Sequence, residues 1–312
     1  MKRMRYFIVP ALTAFMLSAC SGDEGMPAAG DDGEKVLIEL NGMTVSGDDA
    51  SLKAPVNTGD RFTASVAGWE AAEDAQNYAS AATWQSTAEV TASPDEPQTV
   101  TLSPLRYYNP DNDVKTYMKA WYPEGTLANG VVTFTAANAD ASADVMLASE
   151  VGSKKDCTGK TLAFAHKTTQ IKFLIKGDAS LAGGTLLEGI VIKGAEVPRG
   201  IDLVSDNVVY NTADDLEVPG IDGMQTITAD GVEAGEPVMI RPMTGNTLTL
   251  DVKTVSEGVE HTFPNVTATI DNDASFVEGK AYTITLTFKQ EGVALTATVS
   301  EWTEGTGSSE II

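Results

Sequence analysis

The chain is short of almost everything that marks a reactive site or a nucleic-acid surface. It holds two cysteines and two histidines in 312 residues. Two cysteines allow one intrachain bridge at most, which excludes a disulfide-stapled scaffold. His166 and His261 stand alone in AFAHKTT and EHTFPN, without the closely spaced His, Cys or carboxylate neighbours a zinc site requires. Both read as structural or surface residues. Positive charge is scarce too: 21 Lys and Arg face 44 Asp and Glu, for a net charge of −23. Such a surface repels phosphate backbones and anionic lipid headgroups, so nucleic acid is excluded as a partner. There is no GxSxG, HExxH, Walker A or GxGxxG motif. A glycosidase-type acid pair needs only to meet in space, but nothing singles out two carboxylates, and they read as solvated loop residues. No catalytic residue, metal ligand or cofactor is assigned on these grounds. A hydrolase has no motif behind it.

Long apolar runs are missing as well, except at the N-terminus. Lys2, Arg3 and Arg5 precede an apolar stretch over residues 7–17, which leads through Ser18 and Ala19 to Cys20. A bilayer needs about 20 apolar residues, so this stretch reads as a signal peptide rather than a membrane span. LSAC (17–20) has the form of a lipobox, whose thiol is lipidated and whose cysteine becomes the new N-terminus. Cys20 is therefore the lipidation candidate and reads as a membrane anchor. The plainer alternative is a secretory signal that happens to end in cysteine. If Cys20 is acylated, Cys157 in DCTG has no partner within the chain and reads as a free thiol at a strand edge. Residues 20–34 carry Gly, Ala, Pro and acid without periodicity, the composition of a flexible tether.

What the chain does have is alternation. Apolar residues make up 42% of it, enough for a packed core. In VKTYMKAWY (114–122), Val114, Thr116, Met118, Ala120 and Tyr122 alternate with Lys115, Tyr117, Lys119 and Trp121. In TQIKFLIK (169–176), Ile171, Phe173 and Ile175 share one face. TLTLDVKTV (247–255), AYTITLTFK (281–289) and VALTATVS (293–300) repeat the pattern. Period-two alternation predicts strands with one buried face. Turn-forming clusters at 109–113, 176–180, 244–246 and 271–275 punctuate them.

About fifteen strands are expected by this reading and no convincing amphipathic helix. EAAEDAQNYASAA (70–82) reads as one short helix or a long loop. Many short strands with turns between them predict antiparallel sandwiches, and the length predicts two in tandem. A polar stretch at 149–160 suggests a division into 35–157 and 158–312. The acidic loops NPDND (109–113), NADASAD (138–144) and DNDAS (271–275) lack EF-hand spacing and read as turns. Trp69, Trp84, Trp121 and Trp302 read as core plugs rather than a glycan platform.

Several stretches, taken in order, resemble the fimbrillin family of surface lipoproteins from anaerobic Gram-negative bacteria. They are GDRFTASVAGW (59–69), YYNPDNDVKTYMKAWYP (107–123), ADVMLAS (143–149) with LAFAHKTTQIKFLIKG (162–177), and VSEWTEG (299–305). The resemblance implies two transthyretin-like β-sandwiches. It also implies a structural pilin that serves adhesion or biofilm formation and joins other copies or related fimbrial subunits. In polymerising members a trypsin-like protease cuts after a basic residue near the first strand, and a strand from the next subunit fills the gap. A sandwich missing a strand exposes unpaired N–H and C=O groups and an apolar slot, and an added strand satisfies both.

Carried onto this chain, the removable segment includes VLIEL (36–40) and MTVSG (43–47), and the processing candidate is Lys53. The family often carries Arg there, so an Arg-specific protease would leave this chain uncut. Lys35 precedes the strand, and Arg61 is expected inside one. The donor candidate is the C-terminal run, with Val293, Leu295, Ala297, Val299, Trp302, Ile311 and Ile312 as its apolar positions. With no added adhesive domain in view, a stalk or anchor role is expected before a tip role. The competing reading is an uncut surface lipoprotein that binds a glycan, host protein or bacterial surface ligand through its sandwich loops.

Overall fold

A computed structural model describes residues 35–45, 56–94, 96–139, 141–181, 183–221, 223–270, 274–289 and 292–301. The described chain is built of strands, with one 3-10 turn at Ala136–Asn138. In order, they begin with β1 (Leu40–Val45), β2 (Arg61–Ala71), β3 (Trp84–Thr91), β4 (Gln98–Val100), β5 (Leu102–Ser103) and β6 (Lys115–Tyr122). Next come β7 (Gly125–Ala128), β8 (Val131–Phe134), β9 (Met146–Gly152), β10 (Thr161–His166) and β11 (Thr169–Gly177). β12 (Leu186–Ala195), β13 (Pro198–Asp202), β14 (Asn207–Tyr210), β15 (Asp214–Glu217), β16 (Gln225–Thr226) and β17 (Val232–Glu233) follow. The last are β18 (Val238–Ile240), β19 (Thr247–Ser256), β20 (Val259–Thr269), β21 (Lys280–Lys289) and β22 (Gly292–Glu301).

These strands form four sheets, mostly antiparallel. The first has eight strands in the order β4-β1-β10-β9-β6-β2-β3-β5. The second runs β17-β11-β21-β22 with β18 also on β11, and the third runs β15-β12-β19-β20 with β16 on β12. The fourth, β14-β13-β8-β7, joins strands from both halves of the chain. Parallel pairing occurs between β1 and β10 and between β11 and β21.

Apolar side chains gather in three clusters. One is built almost wholly from residues 171–288 and is rich in Ile, Val and Leu. A second holds Ile38, Leu40, Phe62, Val66, Val90, Val100, Leu162 and Phe164 among others. A third, smaller cluster centres on Trp69, Trp121, Phe134, Leu147 and Ile201. Trp84 belongs to the second cluster, so the three described tryptophans are all core residues. Trp302 lies outside the described residues.

The clusters explain where simple alternation holds and where it does not. β3 alternates cleanly, burying Trp84, Ser86, Ala88 and Val90. On β11, Ile171, Phe173 and Ile175 are buried as their spacing predicts. On β6 the expectation of one buried face fails, because residues Thr116 through Trp121 are all buried. The strand lies between two cores: Met118 and Ala120 enter the second cluster, and Trp121 enters the third. Lys119 is buried with them, its ammonium 2.7 Å from Asp206 on the β13–β14 turn and 4.8 Å above the Tyr78 ring.

The 70–82 segment ends β2 at Ala71 and is a loop from there on, the second of its two expected forms. It folds over Trp69, whose Nε1 donates to the Ser80 carbonyl at 3.0 Å and whose ring meets Tyr78 edge-on. Cys157, expected at a strand edge, is buried in the second cluster, on the connection between β9 and β10. The polar stretch 149–160 joins β9 to β10 within one sheet, and the chain passes to the second sheet only after His166.

Candidate functional site

The first strand owes its place to residues far from it in sequence. β1 lies between β4 and β10, parallel to β10 and antiparallel to β4. Asn41 to Val45 stand opposite Thr161 to Ala165, and Leu40 stands opposite Val100. The approach is pinned before the strand starts, by Ile38 N–H donating to the Arg106 carbonyl at 2.9 Å and a bridge between Leu37 and Tyr107. Period two then does the rest. Ile38 and Leu40 enter the second cluster at 3% and 2% exposure, and Thr44 is buried on the same alternation.

Gly42 holds the register position between Leu40 and Thr44, and a side chain has no room there. A Cβ built on Gly42 falls 2.9 Å from Val90 Cγ1 and 3.0 Å from Val100 Cγ1. Both distances are well inside van der Waals contact. Val90 reaches Gly42 from β3, so the eight-stranded sheet curls until its β4-β1 end faces β3 across the core.

Both ends of the segment 46–55 are tied down at the end of β10. Val45 is in register with Ala165. On the other side, Val56 N–H donates to Asp144 Oδ2 at 3.3 Å, and the same oxygen lies 2.7 Å from His166 Nδ1. The side chains of Asp144 and His166 are each 1% exposed, so these contacts are shielded from water and costly to leave unmade. Neither residue is marked as an anchor by composition. The signal in the sequence is a histidine closing an otherwise apolar run, LAFAH, with an aspartate opening another, DVMLA.

The other predicted residues divide in two. Cys20, Lys53, Trp302, Ile311 and Ile312 lie outside the described residues. Val293, Leu295, Ala297 and Val299 lie in β22, opposite Phe288, Leu286, Ile284 and Tyr282 of β21. Among the described residues β22 is the last strand of its sheet, paired on one side.

Little else in the described chain is shaped for chemistry. No three or more His, Cys, Asp or Glu side chains converge on a point among the described residues. His261 sits exposed on β20. Burial, with Glu150 and Asp156 nearby, pushes the Tyr108 phenol up, and burial does the same to Tyr210. The Tyr210 hydroxyl donates to the Lys167 carbonyl at 3.3 Å. A shallow cleft of about 400 Å³ lies between the loop 220–225 and the β17–β18 turn, with Met224, Gln225 and Glu233 on its walls.

Comparison with known proteins places this architecture. No curated protein matches the chain. Among solved structures, a candidate cell adhesion protein from Bacteroides uniformis has 21% identity and a TM-score of 0.54, covering 87% of this chain and 100% of its own. A fimbrial protein from Bacteroides vulgatus has 14% identity and the same TM-score of 0.54, covering 86% and 100%. A candidate cell adhesion protein from Bacteroides ovatus has 14% identity and a TM-score of 0.50, covering 87% and 99%. At these identities the likeness is one of fold. The family model described as fimbrillin-like matches residues 50–302, and with most of its length so matched the chain belongs to the fimbrillin-like family.

Proposed function

We propose that this protein is a structural subunit of a cell-surface fimbria, serving adhesion and assembled by exchange of β-strands. Family membership supports a pilus-type subunit. The observation that carries the assembly step is the position of β1. It is an inner strand, so its departure leaves two unpaired edges, on β4 and β10, and uncovers the pockets of Ile38 and Leu40. Its covalent link to the rest of the body runs through 46–55, where Lys53 offers a cut to a trypsin-like protease. After a cut, Asp144 still holds the body's new end at Val56. The gap is then filled by the C-terminal strand of a neighbouring copy or a related subunit.

On this reading the chain travels as a lipoprotein through Cys20 to the outer membrane, and cutting at Lys53 separates the body from its lipid. Its division into two sandwich domains belongs to the same proposal. A thioether at Cys20 and a disulfide from Cys157 to the chain's other cysteine exclude each other, since both need the same sulfur. Intact mass of the cell-derived protein, before and after reduction, distinguishes them and reports the N-terminus together.

Assembly is tested with the purified mature chain and trypsin. The expected result is a cut within 46–55, then ladders that resist mild SDS and filaments in the electron microscope. A cut there with no polymer, while the C-terminus is intact, overturns strand exchange. Removing residues 303–312 is expected to stop polymerisation and leave a folded monomer.

A further inference from the structure

The geometry points to Val90 and Val100 as a size gate that sets the register and direction of the strand entering the β1 groove; this rests on the strand-exchange reading above. The groove has a defined order of sites along β1. Ile38 and Leu40 occupy two large pockets, Gly42 sits where the two valines close in, and Thr44 fills a buried β-branched site. At the third site the clearance is 2.9 Å to Val90 and 3.0 Å to Val100 for a Cβ alone. The obstruction is made of valine methyl groups rather than backbone, so a shift of less than an ångström admits one methyl. Anything longer must displace a core side chain.

The C-terminal strand carries the same order of sizes at the same spacing. Reading β1 as Ile38-x-Leu40-x-Gly42-x-Thr44, β22 reads Val293-x-Leu295-x-Ala297-x-Val299. Large, large, small and β-branched recur in one direction, and valine has nearly the shape of threonine. The strand of a second copy therefore enters parallel to β10 and antiparallel to β4, as β1 does, with Ala297 at the gate. A slip by two residues in either sense brings Leu295 or Val299 against Val90 and Val100. A slip by one residue turns the apolar row away from the core. Those alternatives are refused, and one register remains.

The test uses the full mature chain cut within 46–55 and a fluorescent peptide of residues 35–47 as the reporter. An unlabelled peptide of residues 292–302 is expected to compete for the groove. The Ala297→Gly peptide is expected to compete at least as well. The Ala297→Leu peptide is expected to compete about 100-fold more weakly, and to recover most of that loss on a body carrying Val90→Ala or, if that variant folds poorly, Val100→Ala. Equal competition by the wild-type and Ala297→Leu peptides overturns the gate while strand exchange stands. Failure of both the 35–47 and the 292–302 peptides to bind overturns strand exchange, and the gate with it.

Discussion

The strands at the two ends of the described fold, β1 and β22, are held in opposite ways. β1 has six residues, partners on both sides, and neighbours that lie far along the chain, such as Thr161 opposite Asn41. β22 has ten residues and, among the described residues, one partner, β21, which precedes it directly in the chain with Lys289 opposite Gly292. A hairpin strand reforms quickly after opening because the loop it must close is short. An inner strand whose partners are remote depends on the rest of the fold being in place. Once its covalent link is cut, nothing local brings it back. The contrast makes β1 suited to being lost and β22 suited to leaving one edge for another.

The sharpest way to break that contrast is to weaken β1 from inside. Leu40→Ala is expected to cost about 4 kcal/mol, because a fully buried leucine leaves a cavity in the second cluster. Urea denaturation measures it, and a cost below about 1 kcal/mol would mean that β1 is a loosely seated strap. Next is the anchor at the loop exit. Asp144→Ala is expected to cost about 3 kcal/mol, since it strips His166 and the Val56 amide of a buried partner. After trypsin treatment this variant is also expected to be trimmed on to Arg61, whereas the parent stays cut within 46–55. Mass spectrometry of the fragments separates the two.

Two smaller effects lie away from both strands and serve as controls for them. Asp206→Ala is expected to cost about 1 kcal/mol, since it leaves the buried Lys119 with its Tyr78 contact alone, and Asp206 is itself half-exposed. Lys119→Met is expected to be nearly neutral, and trypsin-driven release of β1 should be unchanged in either variant. The smallest effect concerns pH. The Ser205 hydroxyl, and then the Val204 amide, hold the Asp202 carboxyl below the usual carboxylate range. A carboxyl with a depressed folded value adds stability above the unfolded value near 3.9, and this is lost as pH falls through the folded value. Asp202→Asn should therefore flatten the stability curve slightly between about pH 5 and pH 2, and leave the affinity for the 35–47 peptide unchanged at neutral pH.

How much of this was legible in advance depends on whether a strand borders one core or two. β3 and the Ile171, Phe173 and Ile175 face of β11 could be read directly, because a single buried face writes itself into the sequence at period two. β6 could not, because its second core is supplied by Leu147 on β9 and Ile201 on β13, strands that alternation cannot place beside it. The family resemblance singled out the first strand. It did not locate Asp144, which acts through a hydrogen bond to a residue 88 positions away. Gly42 stood in the sequence as an ordinary glycine within a strand pattern. Its meaning came only with Val90 and Val100, which the curl of the sheet brings within 3.0 Å of where a Cβ would stand.

The amino-acid sequence by itself determined the acidic character, the all-β class, and the apolar order shared by the first strand and β22. Each of these depends on composition or on side-chain spacing along one strand, which local backbone geometry converts directly into structure. Tertiary structure alone decided that β1 is an inner strand, that Val56 is held by Asp144 beside His166, and that two valines close in on Gly42. Those properties belong to contacts between remote segments, and no periodicity along one strand can record which other strand will lie against it.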